Sequence, residues 1–202
     1  MNMLLCKHYR LHEGVDVLKI PKRALLNIDY SNDFVASDGT LTCGPVAQEL
    51  HDYIVKTTLK FNEAGDYIAF LVDLHHEGDK LHPESKLFPD HNIEGTDGRK
   101  LYGKLEDTYQ ALKENPNVGY FDKTRYSAFV GTNLELKLRE REITEVHLVG
   151  VCSDICILHT AIDAFNRGFD VVVHENGVAS FNQAGHDFTL DHVVEVLGGH
   201  VI

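Results

Sequence analysis

Cys156, Asp29, Lys123 and the pair Asp73 and His75 are the residues whose types and surroundings suit covalent chemistry in this 202-residue chain. Cys156 closes the run Val146-His147-Leu148-Val149-Gly150-Val151-Cys152-Ser153-Asp154-Ile155-Cys156, which reads as an apolar strand passing through a tight turn into a helix. It lands in that helix's first turn, where unpaired backbone N–H groups and the positive end of the dipole favour a thiolate and can hold a developing oxyanion. A lone buried cysteine is usually inert, so this stretch does not carry the argument alone. A cysteine nucleophile also needs a base for its proton and a cation to hold the sulfur. Asp29, at the end of the apolar run Ala24-Leu25-Leu26-Asn27-Ile28, is a base whose partial burial raises its pKa. Lys123 supplies the cation. Taken singly, each would as readily serve in a structural ion pair. Together with Cys156 they make a nucleophile, a base and a charge.

Asp73 and His75 offer two metal ligands from one extended segment, and Glu84 and His91 in the loop that follows are placed to close the site. A mixed carboxylate and imidazole set suits one divalent ion, with zinc first and iron or manganese as alternatives. Three other histidines are set aside: His51 as a surface residue inside a helix, His76 as pointing away from His75, and His82 as an outer neighbour.

These residues need elements that aim them at one place. Strands are expected over 24–28, 67–72, 119–121, 145–151, 170–174 and 200–202, alternating with helices over 45–64, 99–114, 133–142, 156–167 and 186–197. Such alternation makes a three-layer α/β fold, a doubly wound six-stranded parallel sheet with helices on both faces. With strand order 3-2-1-4-5-6 the switch point falls between strands one and four, beyond whose carboxyl ends ligands gather. Asp29, Asp73, His75, Lys123 and the 152–156 turn then share one rim. The polar loop 76–98 is long enough to carry function.

Residues 23–202 are expected to form the one domain, preceded by an extension over 1–22 that could pack on a neighbouring subunit. That extension lacks the uninterrupted apolar core of a secretory signal, and no apolar run nears the ~20 residues of a spanning helix, so a cytoplasmic protein is expected. A net charge of −12 argues against nucleic acid or an anionic membrane as partner and leaves a small neutral or cationic ligand. Cys6, Cys43, Cys152 and Cys156 have no CxxC spacing, and Cys6 and Cys43 are given no role.

Asp29-Tyr30-Ser31-Asn32-Asp33-Phe34, Asp73-x-His75, Lys123-Thr124-Arg125-Tyr126-Ser127-Ala128-Phe129 and Gly150-Val151-Cys152-Ser153-Asp154-Ile155-Cys156 resemble, in order, the motifs of the isochorismatase-like cysteine hydrolases, and within them the nicotinamidases. The family usually has Thr where Ser153 stands. The resemblance implies a Rossmann-like isochorismatase fold, often in a homo-oligomer, and a Cys156 thioester on the way from nicotinamide or pyrazinamide to the acid and ammonia. It implies the metal set Asp73, His75, Glu84 and His91, on which the pyridine nitrogen rests. It also implies an oxyanion site at the N–H groups of Cys152 and Cys156 with a cis Val151–Cys152 peptide, and a ring slot lined by Phe34, Phe88 and Tyr126. The nearest alternative is an amidase of the same superfamily acting on carbamoyl or ureido compounds, which would keep the triad and lose the metal. Isochorismate hydrolysis is disfavoured, since those enzymes lack a nucleophilic cysteine.

Overall fold

Strands buried on both faces read as unbroken apolar runs, and the segment from Ala24 to Ile28 is wholly buried in that way. It forms β1 (Arg23–Ile28) of a six-stranded sheet with β2 (Tyr67–Asp73), β3 (Val118–Lys123), β4 (Glu145–Val151), β5 (Asp170–Ala179) and β6 (His200–Val201). The order is β3-β2-β1-β4-β5-β6 and every pairing is parallel, as expected. The computed structural model describes residues 22–202. The expected extension therefore lies outside the described residues, except for Lys22, whose carbonyl accepts from the Thr144 and Glu145 N–H groups. Among the described residues no helix is long and apolar enough to cross a membrane.

The pleat of β1 sorts its side chains between two cores. Leu25 points to the face covered by α1 (Asn32–Val35), α2 (Pro45–Gln48), α3 (His51–Ala64) and α4 (Lys104–Leu112), with Phe34, Ile54, Phe61 and Leu105 packed there. Ala24, Leu26 and Ile28 point to the face covered by α5 (Leu134–Glu140), α6 (Leu158–Asn166) and α7 (Gln183–Glu195), against Leu134, Leu138, Ala161 and Val193. These are the three layers that periodicity implied.

The largest differences from expectation fall in four elements. The helix over 45–64 is two helices: the Leu50 N–H falls back to the Ala47 carbonyl, an i−3 turn that ends α2 before α3 restarts at His51. Its buried face consequently carries Ala47, Leu50, Ile54 and Phe61, while Val46 and Leu59 are exposed. The helix over 99–114 begins only at Lys104, because Leu101 is bridged to Ser31 and Arg99 sits in a short 3-10 turn, Asp97–Arg99. β5 runs to Ala179 instead of stopping at His174, pairing Val178 and Ala179 with Gly150 and Val151 beyond an irregularity in the ladder. The last helix starts three residues early, at Gln183, where the Asn182 side chain caps it by accepting from the Gly185 N–H.

Away from the carboxyl rim lies a buried polar chain. Tyr53 Oη is 2.9 Å from His174 Nδ1, His174 Nε2 is 2.9 Å from His147 Nδ1, and His147 Nε2 is 2.8 Å from Glu145. Burial, and then each other's proximity in the case of His174, hold both imidazoles neutral; His174 is brought down to about 4 and His147 is lowered. Unfolded, each takes a proton near its ordinary value of 6.5, so their contribution is intact above that value and is lost as pH falls toward the folded values. Urea unfolding is expected to show roughly 2 kcal/mol less stability from this source at about pH 5 than at about pH 7. His174→Gln, which keeps a hydrogen-bonding side chain that does not titrate, should flatten that dependence. An unchanged slope in the variant would rule the pair out as its origin.

Candidate active site

β1 ends where its neighbours also end, and its next residue turns into the space between them. Asp29 has φ of 56°, a left-handed conformation that a non-glycine residue adopts only when its surroundings enforce it. They do: its N–H donates to the Leu71 carbonyl at 2.8 Å, and its Oδ1 accepts from the Asp73 N–H at 2.9 Å. Across the β1–β4 ladder, Gly150 stands opposite Ile28 with φ of 124°, and a Cβ there would lie 1.9 Å from the Ile28 carbonyl oxygen. Only glycine lets β4 come this close to β1.

Lys123, the last residue of β3, fills the gap between the carboxylates. Its Nζ lies 2.6 Å from Asp29 Oδ2, 2.6 Å from Asp73 Oδ1 and 3.6 Å from Cys156 Sγ, and it donates to the Arg125 carbonyl at 3.1 Å. Asp29, Asp73, Lys123 and Cys156 are all buried. Burial, then the Asp73 carboxylate, push Asp29 up to about 7 against the pull of Lys123. Burial is the largest single influence on Asp73 too, but Lys123 and His75 together outweigh it and leave that carboxyl below its ordinary value. Lys123 loses hydration yet gains two carboxylates, which hold it charged. Cys156 lies in the π-helical turn Ser153–Ile157 that leads into α6, and burial raises its thiol well above the ordinary value although Lys123 opposes this. The thiolate expected from the helix dipole is thus not the resting form. A neutral thiol beside an ionisable carboxylate is the arrangement, and the proton has to move to Asp29 for the sulfur to react.

One step along the rim, Asp73, His75, Glu84 and His91 present ligand atoms that lie within 4.8 Å of one another. His91 Nδ1 donates to the Pro89 carbonyl at 2.8 Å, which leaves its Nε2 as a bare acceptor. Among the described residues that atom and His75 Nε2 are buried without a hydrogen-bond partner. Two unpartnered imidazole nitrogens facing two carboxylates fit a divalent cation, whose charge would satisfy all four. His82 is an outer neighbour as expected: its Nδ1 accepts from the Glu84 N–H, its Nε2 donates to the Thr124 carbonyl, and its ring lies 4.4 Å from that of His75. His76 is exposed and pairs with Glu94. His51 is a correction, because its ring is largely buried against Tyr102 and its Nε2 accepts from the Lys104 N–H. Two residues with no assigned role also support the site. Arg99 donates to the backbone carbonyls of Asp73 and Val72 and pairs with Asp122, and Asp33 accepts from the Asn92 N–H beside His91.

A narrow apolar cleft opens over Cys156, lined by Phe34, Leu41, Phe88, Ile155 and Phe181 together with Val151 and Cys152. The Val151–Cys152 peptide is cis, as the resemblance implied. Phe34 and Phe88 both line this cleft. Tyr126 does not line the cleft and packs beside His159, with ring centroids 5.3 Å apart. Leu41 and Phe181 had no periodic signal to mark them, although Phe181 follows the end of β5 and so sits on the edge where the other site residues gather.

The family model for the isochorismatase domain matches residues 23–202. The chain is 58% identical over 180 residues to a Bacillus subtilis (strain 168) protein named as an uncharacterized isochorismatase family protein, PncA, covering 89% of this chain and 98% of that one. A crystal structure described as the nicotinamidase/pyrazinamidase PncA from Bacillus subtilis superposes with a TM-score of 0.88 at 56% identity, over 89% of this chain and 98% of that chain. A pyrazinamidase/nicotinamidase from Streptococcus mutans UA159 does so with a TM-score of 0.88 at 52% identity, over 89% and 99%.

Proposed function

The chain belongs to the isochorismatase family, and from that premise we propose that it is a nicotinamidase, hydrolysing nicotinamide and its analogue pyrazinamide to the acid and ammonia. The observation that carries the reading is the buried cluster in which Lys123 Nζ lies 2.6 Å from both Asp29 and Asp73 and 3.6 Å from Cys156 Sγ, under an apolar cleft and beside a metal donor set.

In this proposal Asp29 takes the Cys156 proton as the sulfur forms a bond to the carboxamide carbon. Lys123, beside both groups, stabilises the negative charge as it passes from the Asp29 carboxylate to that sulfur. The backbone N–H groups of Cys152 and Cys156 hold the oxyanion. Asp29 then gives its proton to the departing nitrogen, and ammonia leaves a thioester on Cys156. Asp29 next draws a proton from water, which attacks the thioester carbon; the C–S bond breaks, the acid leaves, and Asp29 returns the proton to the Cys156 sulfur. Phe34 and Phe88 hold the ring against the cleft wall, so the carboxamide meets the thiol in a fixed orientation. Asp73, His75, Glu84 and His91 would hold one divalent ion, zinc first, which when bound offers a coordination position to the ring nitrogen. The proposal includes a cytoplasmic protein and self-association, for which exposed Phe188, Val194 and Val196 supply apolar surface.

Ammonia release from nicotinamide and pyrazinamide by metal-loaded protein tests the activity. Turnover of a carbamoyl or ureido compound with neither of these as substrate would replace the reading with that amidase. Chelation or His75→Ala should weaken nicotinamide binding by more than about tenfold while leaving benzamide, which has no ring nitrogen, nearly unaffected. Equal weakening of both would make the ion structural.

A further inference from the structure

Cys43 and Cys152 are 109 residues apart in sequence, and their Sγ atoms lie 2.9 Å apart. Both thiols are buried in the apolar cluster that includes Phe34, Val35, Ala47, Val151 and Ala179. A disulfide needs about 2.05 Å between sulfurs, so bond formation asks them to close by only about 0.9 Å from the observed 2.9 Å. Cys152 lines the cleft over Cys156, whereas Cys43 does not. The Cys43 N–H donates to the Phe34 carbonyl at 2.9 Å, so a bond between the two sulfurs would join the segment carrying one wall of the cleft to the turn carrying the proposed oxyanion donor.

We propose that Cys43 and Cys152 form a redox modification site, at which a small hydroperoxide entering by the cleft converts the two thiols to a disulfide and slows turnover. Hydrogen peroxide transfers an oxygen to the Cys152 sulfur, giving a sulfenic acid and one water. Cys43 attacks that sulfur, the S–S bond forms, and a second water leaves. The two thiols together lose two hydrogens and two electrons, and one peroxide is reduced to two waters. The Cys156 sulfur takes no part, and a thiol reductant restores the starting state. Turnover falls because Cys152 and the Phe34 segment are drawn toward each other, which shifts the proposed oxyanion donor and the ring wall relative to Cys156. Only this effect on rate rests on the proposed amidase activity.

The test is limited peroxide treatment of the full chain, alkylation of the remaining thiols, digestion without reduction and mass spectrometry. A peptide pair linked through Cys43 and Cys152, two hydrogens lighter than the separate peptides, is expected, with Cys156 recovered as the alkylated thiol. The same link should form in Cys156→Ser, in which no competing reactive thiol is left in the cleft. Linkage of Cys152 to Cys156 or Cys6 instead, or full alkylation of both Cys43 and Cys152 in both proteins, would overturn the site, whatever amide the enzyme cleaves. In the activity arm the cross-linked enzyme should lose about tenfold or more in rate and recover it with dithiothreitol, while peroxide-treated Cys43→Ser, whose untreated rate matches wild type, resists the loss. A cross-linked enzyme of undiminished rate would overturn the coupling to catalysis.

Discussion

Cys156→Ala is expected to lower nicotinamide turnover by about 10⁵-fold or more while nicotinamide still binds, whereas Cys152→Ala should stay within about tenfold of the parent. The two thiols are four residues apart and both line the cleft, so their separation has to come from what surrounds each. Cys156 Sγ is 3.6 Å from the Lys123 ammonium, and its ligand atom lies within 4.8 Å of those of Asp29 and Asp73. Cys152 Sγ faces Cys43 instead, in apolar surroundings, and that contact, together with burial, raises its thiol well above the ordinary value. Removing the Cys156 sulfur deletes the atom that must bond to carbon. The ring wall and the metal donors remain, so calorimetric binding of nicotinamide should persist. Removing the Cys152 sulfur leaves its backbone N–H in place. Trapping with nicotinaldehyde, which forms a thiohemiacetal with the reactive thiol, locates the nucleophile directly. An adduct on Cys152, or brisk turnover by Cys156→Ala, would sink the mechanism.

The second large effect concerns the base. Asp29→Asn should reduce kcat by roughly 10³-fold, with a smaller change in KM, because general base catalysis of this kind contributes between ~10² and ~10⁴. Asparagine is nearly the same shape, and its carbonyl oxygen can still accept the Asp73 N–H that Asp29 Oδ1 accepts at 2.9 Å. The ring slot and donor set are untouched, which is why binding should survive. Lys123 keeps its 2.6 Å pair with Asp73, so the buried ammonium is not left alone and the fold should hold. Lys123→Met is the contrasting variant: it strands two buried carboxylates and should cost about 3–5 kcal/mol in chemical unfolding as well as activity. If Asp29→Asn retained wild-type kcat, the proton would have to go elsewhere.

How much of this was legible in the sequence depended on whether a signal was local. The strand ends were, because apolar runs such as Leu25–Ile28 stop at a polar residue, and parallel strands place all such residues on one edge. That brought Asp29, Asp73, Lys123 and Cys156 together before any coordinate. Helix breaks were less visible. Nothing at Glu49 and Leu50 marks the end of α2, since the tightened turn there is made by backbone bonds alone. The charge state of Cys156 was misjudged for a different reason: a helix terminus is read from neighbours in sequence, but complete burial comes from four strands and is not. Cys43 had no role until its sulfur was found beside Cys152, and a contact spanning 109 residues leaves no trace in spacing. Tyr126, expected in the ring slot, packs beside His159 instead of lining the cleft, for the same reason.

The sheet order also governs how the chain reaches its final state. Lys123 meets Asp73 across 50 positions of sequence and Cys156 across 33, so each contact closes a long loop before anything repays the lost freedom. No hairpin or single crossover holds the set, because β3, β2, β1 and β4 each contribute a member. Until all four strands have docked, the Lys123 ammonium is better left in water than buried beside one carboxylate. Refolding should therefore restore helical signal first and amide hydrolysis last, so that recovered activity reports completion of the sheet and not the appearance of any one element.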